Sequence, residues 1–466
     1  MKSIVIRSSG AAALAGTLAL AVACSEDRNT FREEGSFIAD AGTPEAAVCG
    51  FQCSLDGRSI VNTCTGETVE SCADDFACGA AKCQEPCAAA AADRSSRGCE
   101  FYAQMPRYRM SDDPQSCFAA FIVNTSNKPV EINLEWGDRA LDASNSLYRA
   151  LDGGKTFEPY EGPLQPGDGA VLFLADRTNE PSTPVDRYFR RPCPHKVVPA
   201  VKEHIPDFTT GYGQSFRITT SAPVSAMAMY PFGGATTYIP QATLLYPVAS
   251  WGKQHIIVNG WEKTLTGSPG LQLVASEEDT EVTIDPVVDI NGGGDVAGAA
   301  ERQRVKYTLH KGQFLQLLQS RELTGSAVYS NKPTSVFGGH QCAFVPSDVG
   351  ACEILSQQLP SYDQWGNEYV GVGYRPRLGN EHEPLLYRIV AARSGTRLDY
   401  DPYIPPGAPT ELAAGEAVTF AAGTGDPFVV RTQDADHPVY LAAYMTGGDG
   451  YGAYGDPEFV NVIPAG

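Results

Sequence analysis

An internal repeat limits what this chain can fold into more than any other feature of its 466 residues. One motif with a proline near its middle occurs three times, at residues 214–227, 324–337 and 427–441. A second motif occurs at 271–284 and 386–400, with a diverged relative at 118–134. Three pairs of equivalent residues give the spacing: Pro223 and Pro333 lie 110 apart, Thr280 and Thr396 lie 116 apart, and Trp251 and Trp365 lie 114 apart. Motifs that return in one order at one spacing indicate a repeated structural unit.

A third motif couples an apolar residue and a proline to a Trp-Gly pair a few residues later, at 246–252 and again at 359–366. Ile463 and Pro464 align with the start of this motif, but no third Trp-Gly pair follows. The sequence therefore leaves two alternatives, a truncated third unit or a dispensable last strand.

Short alternating runs of Val, Ile, Phe, Leu and Tyr, separated by Gly, Pro, Asn and Asp, fill residues 98–466 and predict β-strands joined by turns. We expect the central proline of the first motif to fix a hairpin turn, because proline cannot donate into a central ladder. Turn triplets at 165–167, 310–312 and 414–416 each precede an apolar strand. The expected fold is mainly β, with five or six strands per unit, arranged as tandem antiparallel sandwiches or as a propeller-like ring.

Thirteen cysteines are present, and eight of them crowd into residues 49–99: Cys49, Cys53, Cys64, Cys72, Cys78, Cys83, Cys87 and Cys99. In an exported chain this density indicates a small module with little core, held together by about four disulfides. Zinc is the alternative, but the closest pairs have three intervening residues, whereas zinc motifs of this kind have two. For the remaining cysteines we expect two further disulfides: Cys342 with Cys352, because they are close in the sequence, and Cys117 with Cys193, by elimination.

The N-terminus predicts export and a lipid anchor. Lys2 and Arg7 precede an uncharged apolar stretch at residues 10–23, which is typical of a signal peptide and too short to span a bilayer. The residues before Cys24 resemble the lipobox of bacterial lipoproteins, although Ala21 stands where leucine is usual. An ordinary cleaved signal is the alternative. Ser25 resembles the default outer-membrane class, so we expect an outer-membrane lipoprotein exposed at the surface of a bacterial cell envelope.

Four regions follow from these patterns: a signal peptide at 1–23, a lipidated cysteine with a disordered spacer at 24–47, a disulfide-rich module at 48–97 and a three-repeat β domain at 98–466. Acidic residues outnumber basic ones by 55 to 35, giving a net charge of −20. This charge argues against a nucleic-acid partner. The expected partners are a membrane, reached through the lipid, and an extracellular protein or carbohydrate.

Residues for catalysis or metal binding do not form a recognisable set. The seven histidines are scattered: His195, His204, His255, His310, His340, His382 and His437. The cluster at 381–383 predicts a solvated turn, and His340 beside Cys342 predicts a buried residue next to a disulfide. Glycine-aspartate loops at 292–295 and 447–456 resemble calcium loops but lack the nonapeptide period. We therefore expect no catalytic residues, no metal and no cofactor.

Aromatic residues near the chain end give the only positive sign of a binding site. Tyr444, Tyr451 and Tyr454 lie in or beside a glycine-rich loop. Rigid aromatics among glycines suit recognition of a sugar or a protein. The alternative is a loop that folds onto its own domain.

Several stretches resemble the N-terminal domain of the IgGFc-binding protein family: residues 98–103, 335–346 and 352–360, followed by Trp365 and Gly366. The resemblance extends from about Gly98 to the end of the chain. It implies a β domain of the kind found in a mammalian mucus protein and in bacterial cysteine-rich surface lipoproteins. We therefore expect a non-enzymatic, adhesive surface lipoprotein. A secreted hydrolase with an unrecognised carboxylate pair and a coat protein without a specific ligand remain as alternatives.

Overall fold

A computed structural model describes residues 49–107, 115–177, 191–206, 209–233, 239–377, 383, 385–422, 426–452 and 455–465. Within these residues the chain is mainly β, with thirty strands and one α-helix. Among the residues described, no helix has the length and apolar character needed to cross a membrane. Cys24 and the expected signal peptide and spacer lie outside the described residues.

The disulfide-rich module contains small elements with little apolar core. They are a three-stranded sheet of β1 (Phe51–Cys53), β2 (Ser59–Asn62) and β3 (Thr68–Ser71), a hairpin of β4 (Ala77–Gly79) and β5 (Lys82–Gln84), and helix α1 (Pro86–Asp93). Four disulfides hold these elements together: Cys49–Cys64, Cys53–Cys78, Cys72–Cys83 and Cys87–Cys99. Such bridges constrain the unfolded chain and so replace stability that a core of this size cannot supply.

Helix α1 has clear start and stop signals. Pro86 stands at its first turn, and the carboxylate of Glu85 accepts a hydrogen bond from the backbone N–H of Ala88 at 3.0 Å. Arg94 ends it in the left-handed conformation, with φ of 47°. The helix lies so close to hairpin β4–β5 that a Cβ at Gly79 would meet the Ala89 carbonyl oxygen at 2.2 Å.

The first sandwich has two sheets that share one long strand. Its strands are β6 (Gly98–Ala103), β7 (Phe118–Asn124), β8 (Ile132–Trp136), β9 (Arg139–Leu141), β10 (Leu147–Leu151), β11 (Thr156–Pro159), β12 (Gly169–Ala175), β14 (Phe216–Tyr230) and β15 (Gln241–Leu245). One sheet has the order β9-β8-β14-β6, and the other has the order β11-β10-β12-β7-β14-β15. The disulfide Cys117–Cys193 lies on its outer side.

The second sandwich repeats this plan. Its strands are β16 (Gly252–Ile256), β17 (Pro269–Ala275), β18 (Thr280–Asp285), β19 (Val305–Leu309), β20 (Gln313–Leu318), β21 (Ala327–Ala343) and β22 (Glu353–Leu359). Strand β13 (Gly211–Gln214), which precedes β14 in the chain, crosses over and pairs with β20. The disulfide Cys342–Cys352 closes the loop between β21 and β22.

The third sandwich has two separate four-stranded sheets, β23-β28-β25-β26 and β27-β24-β29-β30. Its strands are β23 (Glu368–Gly371), β24 (Leu385–Ala391), β25 (Thr396–Asp401), β26 (Glu411–Leu412), β27 (Ala417–Ala422), β28 (Phe428–Thr432), β29 (Val439–Met445) and β30 (Glu458–Asn461). The three units therefore share eight strand positions if each long strand counts as two, and the first unit adds β10 and β11. The expected five or six strands per unit were too few, and the arrangement is three tandem sandwiches, with no propeller-like ring in the described part of the chain.

The repeated proline does not make a turn in the first two units, so that prediction was wrong there. Pro223 lies within β14, between Thr220, the last residue paired with β8, and Val224, the first paired with β7. Pro333 occupies the same place in β21. The strand changes sheets at these points, so the missing N–H removes no ladder hydrogen bond. In the third unit, residues 433–438 separate β28 from β29.

The predicted turns before the fifth strand position are present in all three units. Gly167, Gly312 and Gly415 have φ of 80°, 75° and 74°, and they precede β12, β20 and β27. This left-handed conformation suits glycine because no Cβ clashes with the neighbouring carbonyl.

The Trp-Gly and proline motifs close each unit on itself. A Cβ on Gly98 would meet Pro247 at 2.3 Å, and one on Gly366 would meet Pro464 at 2.3 Å. In the second unit Gly252 packs in the same way against Ser361. Glycine is therefore needed at or just before the first strand of each unit, because the chain at the end of the same unit packs against it.

The sandwiches share apolar cores across their junctions. The first core includes Phe314, Phe337 and Ile354 of the second unit, and the second core includes Tyr440 and Phe459 of the third. Residues 42–466 accordingly form one compact unit.

Candidate functional site

Strand β22 is buried along its whole length, and one of its residues, Gln358, contacts all three sandwiches. The carboxamide oxygen of Gln358 accepts a hydrogen bond from the Tyr246 N–H at 2.6 Å, in the first sandwich. Its amide donates to the Ser335 hydroxyl at 2.7 Å, in the second. The Gln358 backbone carbonyl accepts from the Asn461 amide at 2.8 Å, in the third. Gln358 is 1% exposed, so the polar junction excludes solvent and fixes the relative positions of the sandwiches.

A buried cation anchors the third sandwich to the second. Arg388 on β24 donates to the carboxylate of Glu322 at 2.7 Å, and its side chain is 7% exposed. The guanidinium lies 5.1 Å from the ring centroid of Trp261 and 5.9 Å from that of Tyr444. Since the pair is largely shielded from water, removing either partner would leave a buried charge uncompensated.

Acidic side chains gather where β22 meets β30. Glu353 is 1% exposed; one of its carboxylate oxygens accepts from the backbone N–H of Ile354, and the other has no hydrogen-bond partner among the described residues. Burial, reinforced by Glu458 and Asp456, raises the pKa of Glu353 well above its usual value. Burial also raises the pKa of Glu458 to about 8. The raised pKa of Glu353 favours its neutral form, which avoids the cost of a buried uncompensated charge.

The glycine-rich loop after β29 packs against the disulfide loop of the second sandwich. The Gly447 N–H donates to the Val345 carbonyl at 2.8 Å. Arg377 holds the loop from the other side, because it donates to the Thr446 carbonyl at 2.9 Å and also binds the carboxylate of Glu383. The loop thus folds onto neighbouring structure, as the alternative interpretation of its aromatics expected.

Tyr444 is fully buried between Trp261 and Phe459, with ring centroids at 5.0 and 5.5 Å, so its predicted role in ligand recognition was wrong. The reason is that Tyr444 belongs to β29, whose face packs into the second core. The backbone of Tyr451 lies in a short 3-10 helix at Gly448–Tyr451, and Tyr454 lies outside the described residues.

The structure does not gather the described histidines into a metal-binding cluster. His255 and His340 are buried, and desolvation lowers the pKa of His255 to about 4 and that of His340 to about 3. The N–H of Cys342 donates to His340 Nδ1 at 3.0 Å, and Cys342 is bonded to Cys352, which leaves no thiol beside this imidazole. The remaining described histidines, His195, His204, His310 and His437, lie nearer the surface.

One member of the 381–383 cluster contradicts the predicted solvated turn. Glu383 is 6% exposed, and it pairs with Arg377 and accepts from the Tyr374 hydroxyl at 3.0 Å. His382 lies outside the described residues.

The glycines of the 292–295 loop form a tight hairpin closed by hydrogen bonds between Gly293 and Val296. Throughout the described residues, no group of three or more His, Cys, Asp or Glu side chains is placed to hold a metal ion.

All twelve cysteines considered for disulfides are paired, including Cys117 with Cys193 and Cys342 with Cys352. The sequence did not reveal Gln358, Arg388 or Glu353 as interdomain residues. The available signal was a polar residue within an otherwise strand-like apolar run, as in residues 353–359 and 385–391.

Comparison with known proteins points in the same direction as the motifs. The family model described as IgGFc binding protein matches residues 241–466, which run from β15 through the second and third sandwiches. Human IgGFc-binding protein is 27% identical over 180 residues, which cover 39% of this chain and 3% of the human protein. The chain therefore spans only a small fraction of the relative that it matches. No solved structure matches it.

Proposed function

We propose that this protein is a surface-exposed envelope lipoprotein whose sandwich array binds an extracellular protein and has no catalytic role. The observation that carries the proposal is the family match over residues 241–466, because it covers the two sandwiches joined by Gln358 and Arg388. The name of the human relative describes binding to IgG Fc. We carry over the class of partner, an extracellular protein, and treat Fc as one candidate.

The architecture supports a role in presentation. Shared cores, strand β13 and the Gln358 junction hold the sandwiches in a fixed arrangement. A fixed array loses little conformational entropy on binding, which favours affinity from a broad, shallow surface. The net charge of −20 favours solubility of the protein and attracts partners that have a basic surface.

The lipid anchor and the outer-membrane location rest on the sequence before Cys24. The experiment compares intact mass and protease shaving of whole Gram-negative cells expressing wild-type protein or Cys24→Ala. We expect a diacyl or triacyl mass gain at Cys24 and release of the β domain from intact wild-type cells by protease. A mature chain that carries no lipid and is released freely would refute the anchor.

The binding proposal is tested on the full chain by biolayer interferometry with immobilised IgG Fc, fibronectin and collagen, with serum albumin as the control surface. We expect saturable binding to at least one of the three and none to albumin. Absence of binding to all three would refute an extracellular protein partner of these classes and favour the coat-protein alternative.

One observation favours a second candidate, a hydrolase. Glu353 and Glu458 both have raised pKa values, as the general acid of a carboxylate pair requires. Against it, Glu353 is 1% exposed, so a substrate would reach this carboxyl only if the junction opened. Hydrolysis of a panel of chromogenic glycosides by wild type, abolished in Glu458→Gln, would establish the hydrolase and overturn the binding-only proposal.

A further inference from the structure

A cavity of about 190 Å³ lies between the disulfide-rich module and the first sandwich. Its floor is made of small buried side chains, Ala89, Ala90 and Cys78. The turn at residues 125–127 and Pro223 of the first sandwich form the opposite wall. At about 30 Å³ for each water molecule, the cavity has room for about six waters, or for one small ring.

The walls of this cavity are held rigidly. The disulfides Cys53–Cys78 and Cys87–Cys99 fix hairpin β4–β5 and helix α1 on one side. Across the gap, the Lys128 ammonium contacts the Asp75 carboxylate at 2.5 Å and ties the module to the first sandwich. A cavity that is fixed before binding costs little entropy to occupy.

Polar groups also line the cavity. Among them are the exposed side chains of Arg58, Arg97 and Asn127, and the charge of Arg58 acts on the carboxylate of Asp56. Asp56 and Asp93 also line it, and each accepts a backbone hydrogen bond, from Arg58 N at 3.0 Å and from Ala80 N at 3.0 Å. The lining contains two arginines and two aspartates, so its net charge is zero although the whole protein is strongly acidic.

One aromatic side chain completes the lining. Phe76 is 48% exposed and is the single aromatic residue among the described residues that line the cavity. An aromatic ring beside planar donors and acceptors suits a ligand with an apolar C–H face and a rim of hydroxyls. The charges of the lining balance, so it exerts no net attraction on a charged ligand, and Phe76 is the one large apolar side chain there that a peptide anchor could pack against.

We propose that this cavity binds one neutral saccharide unit of a glycan, with Phe76 against the sugar ring and Arg58, Arg97 and Asn127 bonded to its hydroxyls. The cavity lies outside residues 241–466, on which the proposed protein partner rests, so the two proposals can be tested independently.

The test is saturation-transfer NMR on the oxidised full chain with the methyl glycosides of glucose, galactose, mannose and N-acetylglucosamine, each at about 10 mM, a concentration suited to weak single-sugar affinity. We expect transfer to at least one glycoside. Phe76→Ala and Arg97→Ala should each weaken that binding about tenfold, equivalent to about 1.4 kcal/mol. The matched control is Phe51→Ala, which removes another exposed module aromatic, 57% exposed, that does not line the cavity.

Several results would overturn the proposal. They are no transfer to any neutral glycoside, transfer only to N-acetylneuraminic acid, or transfer that Phe76→Ala and Arg97→Ala leave unchanged. Binding of a random peptide mixture that Phe76→Ala abolishes, without any glycoside signal, would assign the cavity to peptides instead. A disulfide map identical to wild type shows that each variant has folded.

Discussion

Replacing Gln358 by leucine keeps the side-chain volume close to the original and removes the carboxamide that connects the sandwiches. The Tyr246 N–H and the Ser335 hydroxyl would each lose their partner, at 2.6 and 2.7 Å in the wild type. A buried donor or acceptor left unsatisfied costs about 1–3 kcal/mol. Since Tyr246 is only partly buried, we expect Gln358→Leu to lower the free energy of unfolding by about 2–4 kcal/mol.

The measurement is urea unfolding of the oxidised protein, followed by tryptophan fluorescence, with Trp251 and Trp365 close to the junctions as reporters. The matched control is Gln52→Leu, the same substitution at an exposed strand position. We expect the control to remain within about 0.5 kcal/mol of wild type. If Gln358→Leu is equally close to wild type, the junction does not depend on this carboxamide and the reasoning is refuted.

Two further predictions use the same unfolding assay. Arg388→Ala should lower the free energy of unfolding by about 3–5 kcal/mol, because it leaves the Glu322 carboxylate without its partner. The double variant Arg388→Met, Glu322→Leu should recover most of that loss, and a double variant as unstable as the single one would contradict this explanation. The raised pKa values of Glu353 and Glu458 mean that the folded state binds more protons than the unfolded state. Their stabilising contribution is complete below about pH 4.5 and falls as the pH rises; the part that Glu458 contributes is lost as the pH passes about 8. Each group contributes a slope of at most about 1.4 kcal/mol per pH unit, and Glu353→Gln should flatten the profile above about pH 4.5; an unchanged profile would show that Glu353 is not responsible.

The repeat, the disulfide-rich module and the β class could be predicted because they depend on local pattern. Alternation buries one face of a strand, and glycines with positive φ, such as Gly312, mark turns. The crowding of cysteines predicted bridges, because a segment of that size has no other source of stability. The pairing within the module depends on which strands meet, as the Cys53–Cys78 bridge between β1 and β4 illustrates.

The role of the repeated proline could not be read from the sequence. Pro223 and Pro333 look like turn residues in isolation, yet both lie where one strand passes from one sheet to the other. A missing N–H is tolerated equally well in a turn and at such a crossing, so the local chemistry is the same in both cases.

The sequence by itself determined the repeated β-strand pattern, the cysteine framework and the likeness to a family of binding proteins. Only the tertiary structure decided that Tyr444 is buried, that Arg388 and Gln358 hold the sandwiches together, and that a neutral cavity forms beside helix α1. The physical reason is that these features depend on contacts between residues far apart in the chain, such as Gln358 with Tyr246 and Arg388 with Glu322. No local pattern specifies which distant surface a side chain will meet, so packing between the units had to settle it.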